Sequence, residues 1–288
     1  MTVSQQPRPV AGQDRASWLF RPGPVARIAW LRVLAYAFVP VDVLVTTPWV
    51  AAHGSVPGAL YQPLMVGRLL HLPTPGPWVE VLKWVLVLGA VLCAAAAARD
   101  RLPAVAGLLV AVCYLEWMVV AFSYGKVDHD RFAFLVLLFV LPTVGRAGLR
   151  STARTPAAGW ALRVTALAVV ATYTLAAFAK FRFGGDWMSG ATLMGAVLRR
   201  GTPLAQPLLD HPGLLHAAQY GLVAVELLVA PLLLVDWRRP RVTWVLALGF
   251  LGFHLMTFAT ISIIFLPHCV ALLSLLPLER LPQLQRRR

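Results

Sequence analysis

The chain is a succession of apolar runs about as long as a bilayer-crossing helix, most of them bounded by arginine, proline or glycine. A hydrocarbon core of about 30 Å needs roughly 20 helical residues at about 1.5 Å each. Such runs lie at Ile28–Thr47, Glu80–Ala98, Leu102–Phe122, Phe132–Val144, Trp160–Phe181, His216–Val235, Val242–Thr260 and Ile261–Pro277. The fourth is short and holds Pro142, and the last two are nearly continuous. The pattern predicts an all-α, polytopic membrane bundle of eight transmembrane helices, or seven if the last two are one. Composition agrees: 59% hydrophobic and 13% charged residues place the chain outside the soluble globular class. Disorder is excluded by the same figures, and no repeat period is present.

The net charge of +14 would suit a nucleic-acid binder if the basic residues formed one stripe. They do not. They flank the apolar runs, as the positive-inside rule expects, so the partner is a lipid bilayer and no nucleic acid is expected. With the N-terminus inside, sixteen of the 26 basic residues fall in cytoplasmic segments, six on the other side (Arg68, Lys126, Arg131, Arg182, Arg199, Arg200) and four within spans. This predicts a multi-pass cell-membrane protein with a polar cytoplasmic tail over 1–26, a membrane domain over 27–277 and a basic cytoplasmic tail over 278–288. Met1 to Pro24 has no hydrophobic signal core, so the first span is expected to act as the signal. Cys93, Cys113 and Cys269 lie in apolar runs without a CxxC pair or ligand-spaced histidines, so neither a disulfide framework nor a metal is expected. No GxGxxG, P-loop or GxSxG motif occurs.

Loop material is concentrated on the outer side. Pro48–Trp78 is rich in proline and glycine, which predicts an irregular or re-entrant segment, and Arg182–Leu215 holds an amphipathic stretch from Trp187 to Arg200 suited to the membrane surface. Ionisable residues inside spans cost at least about 2.5–3.5 kcal/mol and so invite explanation. They are Arg32, Asp42, Lys83, Glu116, Lys180, Glu226 and His254. Arg32 and Asp42 read as structural partners of other helices, with Glu116 as one guess for Arg32. Lys83 reads as a lysine that snorkels to the headgroups. Glu226 reads equally as a structural or a functional group. Lys180 is the sharpest: it shares a face with Tyr173, with small Ala176 and Ala177 between, and burial there favours the neutral amine that can act as a base. The competing reading is a lysine snorkelling near a helix end. Counting along the helices sets Lys180, His254 and the loop residue His129 on the same, outer side.

Tyr173-Thr-Leu-Ala-Ala-Phe-Ala-Lys180-Phe, followed by Asp186-Trp187-Met-Ser-Gly190, resembles the signature of the vitamin K-dependent γ-carboxylase family. Asp128-His129-Asp130-Arg131-Phe132 resembles that family's asparagine-histidine motif, and Phe253-His254-Leu255-Met256 its phenylalanine-histidine motif. Leu31-Arg32-Val33 with Asp42 is similar to its opening helix. Over Arg27 to Pro277 the chain looks like a member of the bacterial membrane branch, the HTTM domain. In that family a lysine deprotonates reduced vitamin K, whose oxygenation to the epoxide is coupled to carboxylation of glutamate. The resemblance therefore implies Lys180 as base, His129 and His254 as supporting catalytic groups, and Tyr173, Trp187 and Asp128 around the cofactor, a reduced vitamin K or menaquinol. It implies a site open to the outer face and a secreted or membrane protein as partner. Two positions depart from the pattern: Ala179 precedes the base where a second lysine stands, and Asp128 replaces the asparagine. The rival reading is a non-catalytic quinone- or lipid-binding module that assists export or maturation of another protein. A transporter has less support, because no repeat with matching broken helices is visible.

Overall fold

Six of the apolar runs fold into helices long and apolar enough to cross a membrane in the computed structural model, which describes residues 18–281 apart from 126, 184–186, 188 and 236–240. In chain order the principal helices are α1 (Val25–Val41), α2 (Met65–Leu69), α3 (Trp78–Ala98), α4 (Ala104–Phe122) and α5 (Phe132–Val140). They continue with α6 (Pro156–Phe183), α7 (Ala191–Arg200), α8 (Pro212–Ala224), α9 (Arg241–Ile261) and α10 (Leu266–Leu272). Two of the long ones widen before they end: α1 runs into a π-helical turn over Asp42–Thr46, and α8 into another over Val225–Val229. A two-residue strand β1 (Gly23–Pro24) pairs antiparallel with β2 (Arg154–Thr155).

Two of the eight expected spans are not crossing helices by length. α5 has 9 residues and ends at a 3₁₀ turn holding Pro142, and α10 has 7 before its own 3₁₀ turn. At about 1.5 Å per residue neither reaches 30 Å. α5 is nevertheless held alongside the stretch of α1 from Arg32 to Asp42, because its flanks are tied to those two residues. Arg131 Nη2 donates to Asp42 Oδ1 (3.2 Å) at one flank. At the other, Arg32 donates to the carbonyls of Leu141 (2.8 Å), Gly145 (3.0 Å) and Val144. The guess of an Arg32–Glu116 pair is thereby corrected. The two terminal nitrogens of a buried guanidinium are taken up by carbonyls at and beyond a helix C-terminus, which needs no carboxylate.

Asp42, fully buried, accepts from Tyr114 Oη (2.8 Å), from Arg131 and from Thr46 Oγ1, so it is structural, as its sequence reading held. Lys83 stays at the start of α3, paired with Glu80 (2.7 Å). Around these groups Tyr36, Tyr114, Trp117 and Phe134 form the fully buried centre of the first half of the chain. Outward, α3 shows Val81, Val85, Leu88 and Leu92, and α9 shows Val245, Leu248, Leu255 and Met256. Apolar ridges of that extent are a liability in water and suit helices bathed in lipid.

The ends of the bundle are distinct. Arg27 pairs with Glu279 (2.8 Å), Ala147 N donates to Asp100 Oδ1 (2.9 Å), and β1 meets β2, so the first and last described segments and the arginine-rich connections share one end. The turn carrying His129, the end of α6 and α7 lie at the other. The segment after α1 is a series of short 3₁₀ turns plus α2, irregular as its proline content predicts.

Candidate functional site

α6 and α9 carry polar and aromatic groups at one spacing: Thr172, Tyr173, Ala176 and Lys180 on the first, Phe253, His254, Thr257 and Ile261 on the second. Steps of one, four and eight residues keep each set on a single helical face. The two faces enclose a cavity of about 340 Å³, closed further by α7, by the π turn after α8 and by the segment entering α10.

Lys180 points into this cavity, where its Nζ lies 2.5 Å from both carboxylate oxygens of Glu226. The Trp187 ring lies 4.7 Å from the same nitrogen, within cation–π range. The lysine therefore does not snorkel. Its partner also changes the reasoning, because the amine is not isolated but meets a carboxylate inside the cavity. Glu226 occupies the second residue of the π turn, the kind of local widening that often marks functional positions.

A second polar group sits deeper. Tyr173 Oη and His254 Nε2 are 2.7 Å apart, and the His268 ring stands edge-on to Tyr173 at 4.7 Å and 5.4 Å from His254. His268 is 1% exposed, yet neither of its ring nitrogens has a hydrogen-bond partner among the described residues. His254 Nδ1, Thr192 Oγ1 and Asp130 Oδ2 are likewise buried and unpartnered there, and all four residues line the cavity. An unmade hydrogen bond at a buried polar atom costs about 1–3 kcal/mol, so such a cluster is built for a polar occupant.

His129 opens onto the same cavity from the turn before α5. Loss of hydration, then the Lys180 charge, holds its imidazole below the usual pKa, with Asp128 acting the other way. Asp130 is pushed up to about 6 by burial, against the opposing pull of Arg131. Asp128, expected beside the cofactor, instead lies 3.6 Å from Arg131 and lines an adjoining apolar groove with Leu175. The two cavities meet at His129 and Thr172. Asp186 of the resembling motif lies outside the described residues.

The amphipathic stretch forms a cover. α7 starts at Gly190, whose φ of 85° and whose position with the His216 ring 2.5 Å from a would-be Cβ both require glycine. Gln219, fully buried on α8, accepts from Leu193 N (2.8 Å) and donates to Trp187 O. Thr202 anchors the exit, with N to Thr260 O (2.9 Å) and Oγ1 to Ala259 O (2.6 Å). Leu193 and Ala196 face the cavity, and Arg199 and Arg200 stand at its rim.

Sequence reasoning left three contributors out of the site, one of which, Glu226, it had singled out in its span without linking it to Lys180. Glu226 lies 46 residues from Lys180, and no spacing rule links them. His268 stands in the last apolar run, where a histidine is itself a signal. Asp130 was visible only as a neighbour of His129. No group of three or more His, Cys, Asp or Glu able to hold a metal exists among the described residues. Comparison of the chain with models of known families, with curated proteins and with solved structures gives no match, so the site is read from its own geometry.

Proposed function

We propose that the cavity holds a reduced, lipid-soluble quinone and that the Lys180–Glu226 pair takes the proton of its ring hydroxyl, as the resemblance to the membrane part of the γ-carboxylase family implies. The observation that carries this is an ion pair facing a largely apolar, aromatic-walled cavity in which His268, His254 Nδ1, Thr192 Oγ1 and Asp130 Oδ2 have no hydrogen-bond partner among the described residues. A volume of about 340 Å³ suits a small ring system. Lys180 and Glu226 would hold one ring oxygen, His254 and His268 the other, and Tyr173 and Phe265 would supply flat apolar contact.

As an ammonium–carboxylate pair the two side chains carry no net charge. Accepting one more proton leaves a cation, shared between Nζ and Oε, beside the oxygen that has become an anion. That charge match in a dry site is what favours the transfer. Tyr173 fixes the orientation of His254 through the bond to Nε2. A bound quinol supplies the electrons for oxygenation, with glutamate carboxylation of a secreted or membrane protein as the coupled step in the family. By the arginine count the cavity opens to the non-cytoplasmic side. A second reading follows from the closeness of the Lys180–Glu226 pair: a fully paired lysine serves equally as an anchor in a quinone- or lipid-binding module that performs no chemistry.

The experiment is quinone extraction from the purified full chain together with epoxide yield from added reduced menaquinone under oxygen. Wild type should carry quinone and form epoxide, and Lys180→Ala should lose product by roughly 10²–10⁴-fold. Undiminished product in the variant rejects the base. Quinone without product in wild type selects the module, and absence of quinone rejects the quinol reading and the quinone-binding form of the module.

A further inference from the structure

A second cavity, of about 210 Å³, lies at the opposite, arginine-rich end of the bundle, beneath the β1–β2 pair and against the start of α6. Its polar lining includes Arg27, Arg154, Arg163, Thr243 and Ser274, and its apolar lining includes Leu162, Leu233 and Leu275.

The guanidiniums are already fixed. Arg27 grips both carboxylate oxygens of Glu279 at 2.8 Å and reaches Ser274 O at 3.3 Å. Arg163 Nη1 donates to Arg21 O (2.6 Å), with its guanidinium 5.6 Å from the Trp18 ring. Arg154 places Nη2 on Pro22 O (2.9 Å) and has no carboxylate at ion-pair distance among the described residues. The wall is tight, since a Cβ on Gly159 would stand 1.8 Å from Arg21 O. Ser274, 2% exposed, lines the same cavity, and its Oγ has no hydrogen-bond partner among the described residues. Glu279 answers Arg27, while Arg154, exposed at the cavity mouth, has no counter-charge among the described residues, and a buried hydroxyl without a partner there lines the same cavity. An oxyanion meets both needs, because guanidinium forks match phosphate oxygens and a hydroxyl can donate to a third.

We propose that this cavity binds a phosphate-bearing anion, held by Arg154 and Arg163 and by a hydrogen bond from Ser274 Oγ. The apolar half of the lining and the position between helix ends on the basic side match a phospholipid headgroup site, and free phosphate is the other source of the same chemistry. The site is separate from the Lys180 cavity and does not depend on the quinol reading.

The test is thermal unfolding of the purified full chain in nonionic detergent, titrated with phosphatidylglycerol, phosphatidylcholine or inorganic phosphate. A melting shift with phosphatidylglycerol well beyond that with phosphatidylcholine assigns the lipid, and an equal shift with millimolar phosphate assigns the free anion. Arg154→Gln should raise the half-saturating concentration about tenfold. Ser274→Ala should leave the ligand-free melting temperature unchanged or higher, because an unpaired hydroxyl is removed, while weakening the ligand shift. Arg99→Gln, on the same end but outside the cavity, should keep the full shift. The proposal is overturned if no anion gives a selective shift, or if Arg154→Gln and Ser274→Ala both retain the wild-type response.

Discussion

At the scale of single residues, the ionisable groups that a lipid-facing helix could not tolerate each have a specific answer. Lys180 and Glu226 neutralise one another, Asp42 meets Arg131 and Tyr114, and Arg32 takes three backbone carbonyls. Glu116 is the exception, with Oε1 buried and unpartnered among the described residues. Asp130 gives the clearest pH test. Its folded-state pKa is near 6 against an ordinary 3.8, so between those values the folded chain keeps a proton that the unfolded chain has lost. Wild-type stability therefore falls as pH rises through this window and is level above it. Asp130→Asn lacks that term, so its stability relative to wild type should climb from pH 4 to 6 by up to about 3 kcal/mol, at about 1.4 per unit. Thermal unfolding across pH measures it, and a pH-independent difference would reject the assignment. Tyr173→Phe tests the inner cluster. Losing the Oη bond to His254 should weaken quinone retention roughly tenfold, with expression intact, as read by extracted quinone per protein.

Among the helices, the short ones and the irregular turns do the positioning. α5 was expected to run on to Val144, but Pro142 has no N–H for the helix, and past the point where it ends the carbonyls of Leu141, Val144 and Gly145 go to Arg32 instead of to another turn. Arg32→Met should cost on the order of 3 kcal/mol, because buried carbonyls lose their donors. A circular-dichroism melt reads this directly, and a change under about 0.5 kcal/mol would mean that water replaces the guanidinium. The amphipathic pattern of the α7 region was legible from the spacing of Trp187, Leu193, Met194 and Leu198 against Arg199 and Arg200. Its role as a cover was not, since that depends on Gln219 and Thr202, which no periodicity singles out. Gly190→Ala would force a φ of 85° on a residue with a Cβ and press it into His216. Limited proteolysis should then cut at 187–200 several-fold faster than in wild type. Unaltered cleavage would show that the ring yields without moving the helix.

Over the whole molecule, the polarity of the bundle is set by where arginines gather. Arg27–Glu279, Asp100 with Ala147, and the β1–β2 pair close one end, while the Lys180 cavity occupies the other. If the arginine-rich end is cytoplasmic, a membrane-impermeant maleimide on intact cells should label Asp210→Cys and spare Arg150→Cys. The reverse pattern would invert the orientation and move the proposed quinol site to the inner face.

The amino-acid order alone determined that this chain is a helical membrane protein, because apolar runs matched to bilayer thickness leave the backbone no other way to satisfy its hydrogen bonds. It also marked Lys180, His129 and His254, since charge and imidazole in or beside apolar helices stand out locally. Only the tertiary structure decided what those groups face. The Glu226 partner, the unpartnered imidazole of His268 and the carbonyls that claim Arg32 come together from helices distant in the chain, where packing of whole faces rather than any local period sets the neighbour.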